Sequence, residues 1–268
     1  MSTEGSVFDL AALDTEIAGT AFAGRVQHFA SVGSTNALAL EAAQAGARVG
    51  VWVAEEQTAG RGRGGHGWHS AAGEGLYVSA LVAPTLPMTM ALWLSLATGL
   101  AARAAIREVT GQVVDIRWPN DLLLHRRKCG GILVETAVDG AMLRYAVIGI
   151  GINVNHAGFP AELEALATSL RMESRGKVSR EVLLGALLRA LDQEISLLVQ
   201  EHRGEIAGAG LLERFTEASS WVRGKRVKVE EGGGYTGVTN GLDPRGFLLV
   251  DGDDGTMHTV LSGGVREG

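Results

Sequence analysis

The sequence predicts an α+β protein in two parts: residues 1–220 forming a larger domain of helices and strands, and residues 221–268 forming a small β-barrel. Three observations carry this. Short apolar runs of strand length alternate with longer helical segments through most of the chain. Tyr145 to Val154 is nearly continuous in apolar residues and glycine, the pattern of a central strand buried on both faces. After Trp221 the texture changes to short β-like runs separated by the turn signals Gly232-Gly233-Gly234 and Asp243-Pro244-Arg245-Gly246. A segment this short lies near the lower limit for an independent domain.

In order, Phe8 to Ile17 predicts a short helix and Gly24 to Phe29 a strand. Ser34 to Ala45 is rich in Ala and Leu and stops at Gly46, as a helix with a glycine just past its end does. Val49 to Ala54 and Leu76 to Val82 are strand-like, and Met88 to Val109 predicts a long buried helix. Val113 to Trp118 and Gly131 to Thr136 predict strands, followed by the Tyr145 run. Val182 to His202 and Leu211 to Ala218 predict amphipathic helices.

A hydrophobic content of 46% is enough to build a core, and the net charge of −6 argues against a protein whose main task is gripping nucleic acid. The single cysteine, Cys129, rules out an internal disulfide and suits a reducing compartment. Met1 to Leu10 carries acidic residues and no apolar stretch of the signal-peptide kind. The apolar run from Leu92 to Ile106 is too short to span a bilayer. Together these predict a cytoplasmic protein with no nucleic-acid or membrane partner.

The most unusual segment is Gly60-Arg61-Gly62-Arg63-Gly64-Gly65-His66-Gly67-Trp68. Glycines let backbone N–H groups approach an anion closely, and two guanidinium groups add charge-assisted donors for phosphate or carboxylate. Trp68 adds a flat surface for a ring. Residues 60–65 also match G-x-G-x-x-G, but Ser70-Ala71-Ala72-Gly73 does not open the helix that a dinucleotide fold needs.

Other segments are ambiguous one by one. Asn120 and Asp121 follow Arg117-Trp118-Pro119; they suit a turn or helix cap, or else a group that holds magnesium or polarises a reacting centre. Lys128 precedes two glycines and a strand, as a solvated lysine or as a cation offsetting charge in a transition state. Asn153 ends Gly149-Ile150-Gly151-Ile152, as a cap or as an amide reading a base edge. Ser34-Thr35-Asn36 opens a helix as an ordinary N-cap or as a ligand contact. Cys129 is expected to be a small packing residue. His66, His69, His125 and His156 show no metal-ligand spacing, so no zinc is expected.

The order of these blocks is far more specific than any one of them. Ser34-Thr35-Asn36, Gln57 ahead of Gly60-Arg61-Gly62-Arg63 and Trp68, Trp118-Pro119-Asn120-Asp121, Lys128 with Gly131-Ile132-Leu133-Val134-Glu135, and Gly149-Ile150-Gly151-Ile152-Asn153 closely resemble the biotin–protein ligases. The resemblance runs from about residue 25 to the C-terminus. It implies a mixed-sheet catalytic domain, of the kind shared with lipoate ligases and class II aminoacyl-tRNA synthetases, followed by an SH3-like barrel. It also implies a two-step reaction using ATP, Mg²⁺ and biotin as substrate, with a biotin carboxyl carrier protein as acceptor.

By that resemblance Ser34, Thr35, Asn36 and Gln57 line the biotin pocket. Arg61, Gly62 and Arg63 hold carboxylate and phosphate, and Lys128 bridges the two. Trp68 and Asn153 lie on the adenine side, and Asn120 and Asp121 lie near the metal and the reacting phosphate. Lys128, Arg61, Arg63 and Asp121 are thus the expected catalytic set. Departures from the family pattern are His66 where a further arginine is usual, Arg117 for lysine, Cys129 for leucine and Gly130 for alanine. The change at His66 predicts a weaker, pH-dependent grip on phosphate. Only about two dozen residues precede the first expected strand, too few for the DNA-binding module some members carry. Members occur as monomers and homodimers, and both stay open.

Overall fold

The computed structural model describes residues 8–174 and 176–268. Residues 1–7, most of the segment considered above for a signal peptide, lie outside the described residues. The larger part is built on a seven-stranded sheet: β1 Val26–Phe29, β2 Gly50–Ala54, β3 Gly75–Val82, β4 Asp115–Arg117, β5 Asp121–Leu124, β6 Arg127–Asp139 and β7 Met142–Asn153. Its spatial order is β1-β2-β3-β7-β6-β5-β4. Only β1 and β2 run parallel, so the sheet is mixed, as expected. Helices α1 Leu10–Glu16, α2 Thr35–Gln44, α3 Ala91–Thr110, α4 Ala161–Glu164, α5 Leu170–Ser174, α6 Arg180–His202 and α7 Leu211–Ala218 complete it.

The two faces of the sheet are covered unequally. On one, Ile148, Ile150 and Ile152 of β7 share a core with Leu94, Ala97 and Ala101 of α3 and Leu184, Leu187 and Leu191 of α6. On the other, Tyr145 and Val147 pack under Ala39 and Ala43 of α2. Side chains alternate along a strand, so this second face continues past Val147 through Gly149 and Gly151. There α2 ends and the side chains vanish, leaving a floor open to a ligand. The segment Met88–Thr110 is, by length and composition, apolar enough to cross a membrane, longer than the sequence run suggested; here it is largely buried as the core helix.

The elements differ from expectation in a few places. Asp9 caps α1 by accepting from Ala11 and Ala12, so the helix starts two residues after Phe8. α3 runs to Thr110 because Gly111 adopts a left-handed φ of 71° and closes it. The expected strand Val113 to Trp118 is only Asp115–Arg117, and a turn begins at Trp118. β5, which begins at Asp121, has no counterpart in the sequence reading. β6 starts four residues before Gly131, so Lys128 and Cys129 lie within the strand rather than ahead of it. Cys129 is buried, and burial pushes its thiol up to about 12; it packs and is chemically quiet.

The C-terminal part is a five-stranded antiparallel sheet of β8 Arg223–Val229, β9 Tyr235–Leu242, β10 Leu248–Gly252, β11 Met257–Val260 and β12 Val265–Glu267, in the order β11-β10-β9-β8-β12. Its inward residues Val227, Val229, Leu248, Val250 and Val260 belong to the same core as Leu96 and Phe215. Two indole N–H groups tie the parts together: Trp118 Nε1 donates to the Gly246 carbonyl and Trp93 Nε1 to that of Arg245, each at 2.9 Å.

A two-compartment cleft floored by glycine

The strand register builds the site. Gly149 of β7 lies opposite Ser79 of β3 and Leu133 of β6, and Gly151 opposite Tyr77 and Gly131, with Asp121 of β5 opposite Gly131. These residues share one face, so the glycines form a bare strip across the two central strands β7 and β6. The space is used at once. A Cβ on Gly149 would come within 2.2 Å of Asn36 Oδ1, and one on Gly151 within 2.6 Å of the Trp68 ring. A Cβ on Gly131 would meet Trp68 at 3.0 Å and Lys128 Cε at 3.2 Å.

Over this strip lies a narrow inner pocket, entered past the glycine-rich loop. Ser34, Thr35, Asn36, Gln57, Arg61 and Gly62 all line it. Ser34 sits at the N-cap position of α2, but its side chain makes no capping bond. Instead Gln57 Oε1 accepts from the Thr35 backbone N–H at 2.9 Å and from its hydroxyl at 3.1 Å. That takes up a donor at the helix start and leaves the Ser34 hydroxyl available. Ser79 Oγ bonds Thr35 Oγ1 at 2.8 Å and also reaches Asn36 Oδ1, while Asn36 Nδ2 donates to Glu135 at 2.8 Å. Arg61 pairs with the same carboxylate at 3.2 Å. Ser79 and Glu135 therefore orient the pocket, although no role was assigned to either from sequence. The visible signal for Ser79 is a hydroxyl amid the apolar alternation of Leu76 to Val82.

A wider cleft of about 530 Å³ adjoins the pocket and reaches the C-terminal sheet at Glu230, Ser262, Gly263 and Gly264. Five residues line both compartments: Gly62, Arg63, Trp68, Asn120 and Lys128. The glycine-rich loop is folded as a small hairpin, with Arg61 bridged to Gly67, Gly62 N–H donating to the His66 carbonyl at 2.7 Å, and Gly64 and Gly65 at left-handed φ of 69° and 81°. Burial pushes the Arg63 guanidinium's pKa down, against the pull of Asp121 and Glu231; no ion pair holds it among the described residues.

Lys128 and Asp121 form an ion pair at 2.5 Å, and Arg117 takes the other carboxylate oxygen at 2.5 Å. Burial pushes the Asp121 carboxyl up, but these two cations outweigh it and hold it below the usual carboxylate range. Asp121 is thus a neutralised anchor that presents Lys128. Lys128 Nζ also sits 5.4 Å over the Trp68 ring, whose buried Nε1 has no hydrogen-bond partner among the described residues. Asn120 Nδ2 donates to the Ile132 carbonyl at 2.8 Å, locking the turn onto β6. Asn153 lines the wide cleft; its amide N–H₂ donates to the Thr168 carbonyl at 3.1 Å, leaving the oxygen as an acceptor. Every candidate site residue from the sequence therefore falls on this one cleft. Among the described residues no group of three or more His, Cys, Asp or Glu is gathered as metal ligands.

Comparison with known proteins agrees. The sequence profile of the Biotin/lipoate A/B protein ligase family matches residues 29–153, and that of the Biotin protein ligase C terminal domain matches residues 223–265. The bifunctional ligase/repressor BirA of Bacillus subtilis is 33% identical over 221 residues, covering 81% of this chain and 65% of that longer protein. The biotin--[acetyl-CoA-carboxylase] ligase of Mycobacterium tuberculosis is 36% identical over 243 residues, covering 88% of this chain and 85% of its own length. The solved structure of the Aquifex aeolicus biotin protein ligase in complex with biotin and ATP superposes with a TM-score of 0.72 at 28% identity, covering 91% of this chain and 98% of that one. On fold, cleft and sequence together, the chain belongs to the biotin protein ligases of the biotin/lipoate A/B ligase family.

Proposed function

We propose that the chain joins biotin to ATP at the junction of the two compartments and then transfers the biotinyl group to a lysine of an acceptor protein. In the first step a biotin carboxylate oxygen attacks the α-phosphorus, the bond to the β-phosphate oxygen breaks, and pyrophosphate leaves. In the second, an acceptor lysine amine attacks the carbonyl of biotinoyl-5′-AMP, loses a proton and expels AMP. The name of the Mycobacterium tuberculosis relative points to acetyl-CoA carboxylase, and hence to its biotin carboxyl carrier domain, as the acceptor.

The single observation that carries this reading is the set of residues common to both compartments. A carboxylate from the inner pocket and a phosphate from the outer cleft meet where Arg63 and Lys128 supply positive charge. Two anions approach each other only if that repulsion is offset, and cations fixed in advance do so without reorganisation. Ser34, Thr35, Asn36 and Gln57 offer the inner ligand a polar wall, with the glycine strip as its floor. Asn153 Oδ1 is the acceptor for an exocyclic amine on the adenine side. Both oxygens of Asp121 are engaged by cations, so Mg²⁺ in this reading enters as part of the substrate, carried by the phosphates of ATP.

The test is biotin-dependent exchange of labelled pyrophosphate into ATP, with lipoate as the competing acid. Exchange with biotin and none with lipoate is expected. Exchange with lipoate alone would overturn the choice of substrate.

A further inference from the structure

The C-terminal sheet lines the cleft at Glu230 and from Ser262 to Arg266, and there the turn of residues 261–264 meets the glycine-rich loop. A Cβ on Gly263 would stand 3.2 Å from Arg63 Nη1 and 3.6 Å from Pro119 Cδ. Gly263 and Gly264 hold left-handed φ of 88° and 77°, conformations glycine adopts without the strain of a side chain. A side chain at Gly263 would crowd the guanidinium that lies against the turn.

The turn is itself held by one carboxylate. Glu231 Oε2 accepts from the backbone N–H groups of Leu261 and Ser262, both at 3.0 Å, and from the Ser262 hydroxyl at 3.2 Å. The neighbouring Glu230 N–H donates to the Gly264 carbonyl at 3.2 Å, so residues 230–231 clasp both ends of the turn. Three donors converging on a single carboxylate oxygen fix the shape of the turn. The negative charge of Glu231 also favours the guanidinium of Arg63, which burial alone disfavours.

We propose that Glu231 is a positioning residue for Arg63: through the 261–264 turn the small domain forms the seat on which the glycine-rich loop closes over the activated intermediate. The inference rests on the reaction proposed above only for its catalytic consequence; the seat itself is a property of the ligand-free protein. It gives the C-terminal sheet a task in retaining biotinoyl-AMP, distinct from binding biotin.

Two readouts on the full-length protein separate the two levels. In the first, ligand-free wild type, Glu231→Ala and Glu231→Gln are treated with trypsin, and cleavage after Arg63 is followed by mass spectrometry. Cleavage is expected to rise about fivefold in Glu231→Ala and less in Glu231→Gln, whose amide oxygen still holds the turn. Cleavage equal to wild type in both variants overturns the seat, whatever the protein catalyses. Circular dichroism melts of both variants check the fold, and Glu231→Gln carries the test should Glu231→Ala unfold.

In the second, release of biotinoyl-AMP is measured for wild type, Glu231→Ala, Arg63→Ala and the double variant. Release per biotinoyl-AMP formed is expected to rise severalfold in each single variant, with the KM for biotin unchanged in Glu231→Ala, and the double variant is expected to match Arg63→Ala, because the two act as one unit. Additive effects would mean that Glu231 acts elsewhere and would overturn the proposal. Absence of any biotinoyl-AMP in wild type would instead sink the reaction assigned above and leave the trypsin result standing.

Discussion

At the scale of single residues the site depends on what is missing. Gly149 yields its side-chain volume to Asn36, whose amide then bridges Ser79 and Glu135. Gly149→Ala forces its methyl group against that amide at the pocket floor. Overpacking of this kind costs about 1–3 kcal/mol, and the strain falls on the biotin wall. Titration calorimetry is expected to show biotin binding weakened roughly tenfold, the equivalent of about 1.4 kcal/mol; unchanged affinity would contradict the assignment of the inner pocket.

His156 offers a different residue-scale prediction. It is fully buried, stacks on Phe159 at 5.0 Å, and its Nδ1 has no partner among the described residues. Burial, with His69 nearby, lowers its pKa from 6.5 to about 4. The unfolded chain therefore binds a proton that the folded one refuses, and stability falls as pH drops from about 6.5 to about 4. The loss is on the order of 3 kcal/mol at 1.36 kcal/mol per pKa unit. Urea unfolding between pH 7 and pH 4.5 is expected to show this dependence weakened in His156→Phe. An identical pH dependence in the variant would remove His156 as its source.

At the scale of elements, the glycine-rich loop is the part whose role the sequence conveyed best and whose setting it conveyed least. Arg61, Arg63 and Trp68 announce an anion site by residue type. What they grip is decided elsewhere: Arg61 by Glu135 of β6, Trp68 by the vacancies at Gly131 and Gly151, Arg63 by the turn at Gly263. Such pairings join residues far apart in the chain, and local patterns do not encode them. Likewise β5 was illegible because Leu122 to Leu124, between a turn and His125, is too short to show a period. The ends of α1 and α3 are set by single residues, Asp9 as a cap and Gly111 as a terminator, which carry no periodic pattern. The long segments of alternating or helical pattern were legible, as was the joint order of the motif blocks. For the loop itself, Arg63→Gly is expected to release biotinoyl-AMP and biotinylate bystander lysines. Streptavidin blotting of a mixed-protein sample would check it, and labelling no greater than wild type would deny the loop its retaining role.

At the scale of the molecule, the two parts share one continuous core and two indole-to-carbonyl hydrogen bonds. The C-terminal sheet, too small to bury much alone, therefore melts with the rest. Calorimetry is expected to give a single transition with equal calorimetric and van't Hoff enthalpies; two separated transitions would show independent units. Trp118→Phe keeps most of the packing and loses the bond to Gly246, leaving a buried carbonyl unpaired. A cost of about 1–3 kcal/mol is expected in denaturant unfolding. Because Trp118 adjoins Pro119 and Asn120 at the junction of the compartments, the same contact couples the small domain to the chemistry.

The central claim is geometric: carboxylate and phosphate meet at Arg63 and Lys128, over a floor of glycine. A crystal structure of the protein with biotinoyl-5′-AMP tests it most directly. The account predicts the biotinoyl group above Gly149, walled by Thr35, Asn36 and Gln57, with Arg63 and Lys128 both within hydrogen-bonding reach of the mixed anhydride. An adenylate bound with either cation turned away, or with its acyl group outside the inner pocket, would contradict it.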